Sequence, residues 1–268
     1  MIFGLGKAGF GLFLSFVWLA CLATVSTARA ADEVTLYLNQ LPHRLVPGSG
    51  RQYDGFLKEL MQDIAFEVSP KPGPLVRSKT RFLKDPSSCL FPTNIRALRI
   101  GSRADTLLPS EQVDVVSLRL YTRIERPGEV EIGDFAPERV GYIRGSGAVQ
   151  PLGPNADRFL AIDSEQQLIR MLELNRIDAF LGHHPDTALA LDELNKPDAL
   201  HVSPLPVKNL RFKVTFICHD TEAGRTFIEA VNPLILKMRL DGRLRAILGP
   251  HAEFGLSESV QEDRPLTE

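Results

Sequence analysis

Residues 8–23 run Ala-Gly-Phe-Gly-Leu-Phe-Leu-Ser-Phe-Val-Trp-Leu-Ala-Cys-Leu-Ala without one charge, and no second apolar run reaches membrane length. After them the chain changes character, and short apolar segments alternate with polar stretches rich in Gly and Pro. Val34-Thr35-Leu36-Tyr37-Leu38 alternates and starts β-branched, which predicts a first strand. A loop follows over Pro42–Gly50. Phe56, Leu57, Leu60, Met61, Ile64 and Ala65 then recur at the spacing of one helical face, with Asp54 placed to cap that helix. Ser69-Pro70-Lys71-Pro72-Gly73-Pro74 reads as a loop. Strands are expected at Cys89–Phe91, ended by Pro92, and at Val113–Leu118, Arg139–Ile143, Ile177–Leu181 and Phe212–Cys218. Ser164 and Gln167 form a capping-box pattern ahead of Leu168, Ile169 and Leu172, and Asn175 ends that helix. Thr221 opens a long helix bearing Phe227, Ile228, Val231, Leu234, Ile235 and Met238, which Pro233 is expected to kink. Asp241-Gly242 closes it, Arg243–Leu248 is a short last helix, and the polar tail from Ser257 frays. Strands alternating with helices predict an α/β fold with largely parallel sheets.

The uncharged stretch is preceded by Lys7 and followed by Ala28-Arg29-Ala30, the pattern of an export signal cleaved after Ala30. Gly9, Gly11 and Ser15 interrupt it too often for a spanning helix. Its loss leaves a chain of about 238 residues without Trp18 or Cys21. The whole chain, 268 residues with 44% hydrophobic and 24% charged, has ordinary globular values that exclude disorder, collagen and coiled coil as the main state. Without Lys7 and Arg29, 29 basic residues face 33 acidic ones, a net charge near −4. No basic stripe appears, so no nucleic-acid partner is expected. Cys89 and Cys218 remain, and in an oxidising compartment a disulfide between them is expected.

Phosphate-cradling glycine motifs and the Gly-x-Ser-x-Gly elbow are absent from the sequence, and no cofactor is called for. The nearest metal-like cluster is His183-His184 with Asp186. Adjacent strand residues point to opposite faces, so a shared ion, and hence a metal site, is not expected.

The order of several weak motifs resembles the family 3 solute-binding proteins of bacterial ABC transporters, over nearly all of the mature chain. Leu41-Pro42-His43 resembles the family's first binding loop, and Gly55-Phe56 the opening of its first helix, with Leu57 where Asp is usual. Thr93-Asn94-Ile95-Arg96 is similar to its Thr-x-x-Arg. Val140-Gly141-Tyr142 with Gly145-Ser146 resembles its second-domain start, Ile177-Asp178-Ala179 its Val-Asp-Ala strand, and Leu240-Asp241-Gly242-Arg243-Leu244 its C-terminal helix pair. The resemblance implies a two-lobed periplasmic binding protein type II fold, each lobe a mixed sheet flanked by helices, joined by two hinge crossings. Lobe one would be residues 31–117 and 210–256, lobe two 118–209, with 1–30 the signal and 257–268 the flexible tail. Both cysteines would then lie on lobe-one strand segments.

The function so implied is binding, not catalysis: closure on a small polar or anionic solute, an amino acid or organic acid, in the periplasm. Delivery would be to a membrane ABC permease, by a monomer. The alternatives on the same fold are a non-transport accessory protein of a periplasmic enzyme, and a dehydratase-like enzyme. Arg96 supplies a fork suited to a carboxylate, with Thr93 as hydroxyl donor. Against this, Arg96 resembles Arg99 and Arg103, which together would make a solvated basic face. Gly145 and Ser146, with Gly147, let backbone N–H groups approach an anion, and Arg144 adds charge there. His183 stands where the family has an acidic partner for an ammonium, and Asp186 lies three residues on. Tyr37 and His43 are expected to wall the ligand, with Phe56 either wall or core.

Overall fold

A computed structural model of the chain describes residues 33–98 and 101–255. The signal at 1–30, Arg99 and the tail from Ser257 lie outside these residues. In chain order the first elements are β1 (Val34–Gln40), α1 (Gln52–Gln62), β2 (Val68–Pro74), α2 (Leu75–Phe82), β3 (Ser88–Thr93), α3 (Ile95–Leu98) and β4 (Leu107–Pro109). A long strand, β5 (Asp114–Arg123), leads away from them. There follow β6 (Val140–Ile143), α4 (Val149–Leu152), β7 (Leu160–Ile162), α5 (Glu165–Glu173), β8 (Ala179–His184), α6 (Asp186–Glu193) and β9 (Leu200–Val202). A second long strand, β10 (Arg211–His219), returns to α7 (Glu222–Leu240) and α8 (Arg243–Leu248).

The strands are hydrogen-bonded in the order β2-β1-β3-β10-β5-β8-β6-β7, with β4 on β10 and β9 on β5. β1 pairs in parallel with β2 and β3, and β6 with β7 and β8. Every pairing of β5 or β10 is antiparallel. The sheets are therefore mixed, not largely parallel. The cause lies in the two crossings: Arg211–Val214 of β10 pairs with β5, while Ile217 and Cys218 pair with β3 and β4. β5 in turn runs on to β8 and β9. β10 thus belongs to both sheets while β5 runs from it into the second, and the molecule is two-lobed.

Each lobe buries apolar side chains on both faces of its sheet. In the first, Leu36, Leu38, Phe56, Leu60, Phe91, Phe216, Phe227 and Ile235 form one core, and Phe82, Leu90, Leu98 and Ile217 the other. Phe91 and Phe216 stack with ring centroids 4.3 Å apart. In the second, Leu118, Leu120, Val140, Ala179 and Leu181 occupy one face, and Tyr121, Leu168, Ile169 and Phe180 the other. The period-2 alternation of β5 and β8 produces this split. Cys89 and Cys218 are register partners on β3 and β10 and form the expected disulfide within the first lobe.

Three local expectations are corrected. Residues 68–74 form edge strand β2, not a loop. Pro70, Pro72 and Pro74 share one parity, and the ladder to β1 runs over all seven residue pairs, so the side without N–H donors is the open edge. Asp54 does not cap α1: it lies inside the helix and accepts the N–H groups of Gly48 and Gly50 in the preceding loop. β3 passes through Pro92 to Thr93. By contrast, the Ser164 and Thr221 hydroxyls accept the N–H groups of Gln167 and Gly224 as expected. α7 is one helix from Glu222 to Leu240 with Pro233 inside it.

Candidate ligand cleft

The hinge strands bring together groups distant in the chain. On the first-lobe side, β3 ends in Thr93 and the short α3 follows. Asn94 caps α3 by accepting the Ala97 N–H at 2.9 Å, which fixes the turn that carries Arg96. The Arg96 guanidinium carbon lies 5.8 Å from the Phe212 ring on β10, and its Nε is buried with no partner among the described residues. Thr93 accepts the Thr215 hydroxyl on its carbonyl, and its own hydroxyl makes a 3.5 Å contact to the Asn94 carbonyl. Asn39 ties the end of β1 to this corner by donating to the Pro92 carbonyl at 3.0 Å; its Oδ1 is buried without a partner among the described residues.

On the second-lobe side, β6 ends at a turn closed by the Ser146 N–H donating to the Ile143 carbonyl. Gly145 sits there at φ +74°, a conformation that favours glycine, and the Ser146 hydroxyl accepts the Ala148 N–H. A methyl placed on Gly147 would lie 3.9 Å from His183 Nε2, so the turn and the end of β8 form one wall. β8 alternation sends the two histidines apart. His184 meets the Tyr121 hydroxyl at 3.4 Å, while His183 faces the Gly147 turn. Burial lowers the pKa of His183, with Asp186 opposing, so a neutral imidazole faces the turn at pH 7. Among the described residues no group of three His, Cys, Asp or Glu side chains is arranged to hold a metal ion.

Asp186 opens α6, and its charge acts on groups of both lobes: Arg44 and Tyr53 in the first, His183, Glu165 and Tyr121 in the second. Arg44 is the largest fully buried side chain of the described residues. Its guanidinium donates to the Asp114 carboxylate and lies 3.9 Å over the Tyr53 ring. Asp114 also accepts the Tyr53 hydroxyl and the Val115 N–H. Burial opposes the Arg44 charge, but the Tyr53 oxygen and the Asp114 and Asp186 carboxylates outweigh it and raise its pKa. Arg44 Nε and Nη1 have no partner among the described residues.

Of the residues singled out by the sequence, Thr93 ends β3 and Arg96 lies in α3, Gly145 and Ser146 form the turn after β6, and His183 and Asp186 lie at the end of β8 and the start of α6, where the Asp186 charge acts on His183. Two others are engaged elsewhere. The Tyr37 hydroxyl donates to Asp85 and its ring packs on the α2 face of the first sheet. His43 is buried, with both ring nitrogens directed at α5 and α6 of the second lobe. Arg144 turns to Asp163 and the Ala161 carbonyl. Phe56 is core. The sequence reading missed Arg44, Tyr53 and Asp114. The signal was there in Val113-Asp114-Val115-Val116, where an acid inside a β-branched run requires a buried partner.

No family model matches the chain, and no curated protein matches it. Solved structures do. The substrate-binding protein of an ABC uptake transporter from Streptococcus pneumoniae, with bound histidine, is 14% identical with a TM-score of 0.59, covering 81% of this chain and 90% of that one. A histidine kinase sensor domain with similarity to periplasmic binding proteins gives 12% and 0.61, covering 81% and 95%. An ancestral cationic amino acid solute-binding protein gives 11% and 0.60, covering 81% and 94%. These likenesses show the fold: the chain has the two-lobed architecture of periplasmic binding proteins.

Proposed function

We propose that the chain is an extracytoplasmic binding protein that closes its lobes on a small polar or anionic solute, an amino acid or organic acid, for ABC-type uptake. The features that support this reading are Arg96, on a capped first-lobe turn with a buried Nε that has no partner among the described residues, and the second-lobe Gly145–Gly147 turn beside a neutral His183. One side offers a cation for a carboxylate; the other offers backbone N–H groups and an uncharged ring. The lobes are taken as residues 31–117 with 210–256, and 118–209, in keeping with the division of the buried cores. Residues 1–30 are taken as a cleaved export signal, a reading the disulfide supports because thiols pair in oxidising compartments. Among the described residues no helix is long and apolar enough to cross a membrane. Solute-binding neighbours add weight to the reading.

A thermal-shift screen of amino acids, dicarboxylates and small organic acids tests it. A solute at about one hundred times its Kd stabilises by about 2.7 kcal/mol. Arg96→Ala is expected to weaken a positive solute about 10- to 100-fold, the worth of a charge-assisted hydrogen bond. Failure of every solute to shift the transition, well above millimolar concentration, overturns the reading.

A further inference from the structure

The last turn of α6 ends in two consecutive acids, Asp192 and Glu193, and each meets a histidine of the first lobe. His43, on the loop after β1, places Nδ1 2.9 Å from Glu193 Oε2. His251, just after α8, places Nε2 2.7 Å from Asp192 Oδ2. The other nitrogen of His43 faces Glu165 Oε2 at 3.8 Å and the Gln166 amide at 3.4 Å, both at the start of α5. Six side chains from four segments of the sequence thus meet along one seam between the lobes.

We infer that His43 and His251 form a proton-operated latch that grips the end of α6 and favours the closed cleft when the imidazoles are charged. The inference rests on the reading of the lobes as a closing pair, but not on any solute. Carboxylates at a helix C-terminus face the negative end of the macrodipole, so cations are the partners that position favours. A neutral imidazole gives each acid one hydrogen bond. An imidazolium adds ionic attraction to both, and for His43 gives Nε2 a proton to share with Glu165 in place of the hydrogen bond it accepts from the Gln166 amide N–H.

The frame holding His43 is rigid. Its neighbour Arg44 is fixed between Asp114 and Tyr53, and the loop closes on itself through the Leu45 and Arg44 N–H groups donating to the Leu41 carbonyl. The charged and titratable groups around the latch point the same way. Glu165 is raised above the ordinary carboxylate range by burial, with Asp186 adding and its own backbone contact and His43 opposing; a falling pH relieves its cost. His251 faces Asp192 on one side and the His184 ring edge-to-face at 6.2 Å on the other. Burial lowers His184 below the usual histidine range, and Arg119 and His251 lower it further, against the pull of Glu253 and Asp114. This environment favours the neutral form of His184, which does not repel a charged His251.

The sign follows from linkage: ion pairs that exist only in the closed form bind protons on closing, so closure strengthens as pH falls and weakens as it rises. The test is small-angle scattering from the full mature chain without added solute, at pH 5.5 and pH 8. The wild type is expected to be more compact at pH 5.5. In His43→Gln/His251→Gln that difference is expected to vanish. Asp192→Asn/Glu193→Gln, which alters only half-exposed acids on α6, is expected to remove it equally, whether or not the histidine variant folds. Equal compactness of the wild type at both pH values, or a difference that persists in the acid variant, overturns the latch. Neither outcome touches solute binding, which the thermal-shift screen decides separately.

Discussion

Arg44 and Asp114 show most clearly how one residue constrains this molecule. A wholly buried cation is tolerable only with its carboxylate, its aromatic face and the Tyr53 hydroxyl around the same acid. Arg44→Met is expected to cost about 3–5 kcal/mol in urea unfolding, because it leaves Asp114 charged and unpaired. Arg44→Met/Asp114→Leu is expected to regain most of that, since an apolar pair of similar volume replaces a desolvated ion pair; a double variant no better than the single contradicts the account. Gly182 is a second sensitive residue. A methyl there would lie 2.4 Å from Thr187 Oγ1 and 2.8 Å from the Tyr121 ring, so Gly182→Ala is expected to destabilise by about 1–3 kcal/mol. The sequence made single residues legible where a local rule reached them. The hydroxyl caps at Ser164 and Thr221, and the opposite directions of His183 and His184, follow from local spacing alone. The engagement of His43 with α5 and α6 was not legible, because Glu165, Glu193 and Gln166 lie more than a hundred residues away.

At the scale of elements, periodicity located most strands and helices, and its failures have physical causes. β2 was unreadable because three prolines in seven residues exclude a central strand, yet an edge strand needs donors on only one side. α2 was overlooked because it buries only Ser78 and Phe82, too little for an apolar stripe to show. α3 has four residues among those described and depends on its cap. Asn94→Ala is expected to destabilise by about 1 kcal/mol and, by loosening Arg96, to weaken solute binding by more than that loss alone; denaturation and titration on the same variant separate the two. The disulfide joins β3 to β10 across 129 residues of chain. Its removal in Cys89→Ser/Cys218→Ser is expected to cost about 3–5 kcal/mol, chiefly through the freedom returned to the unfolded chain, read as a lower denaturation midpoint.

For the molecule as a whole, the alternation of strands and helices pointed to an α/β fold, but two lobes followed only from the order of weak motifs. The crossings explain why. β5 and β10 read as ordinary strands, and nothing within β10 tells that its two halves pair in different sheets. The function proposed here draws on the ends of β3, β6 and β8: the turn after β3 carries Arg96, and the turn after β6 lies beside His183 at the end of β8. The most direct test is calorimetric titration of the purified mature protein with small carboxylate solutes, paired with scattering on each mixture. One saturable site per chain, lost or weakened in Arg96→Ala and accompanied by a more compact particle, is the predicted result. No heat and no compaction with any carboxylate, or binding that Arg96→Ala leaves unchanged, would contradict it.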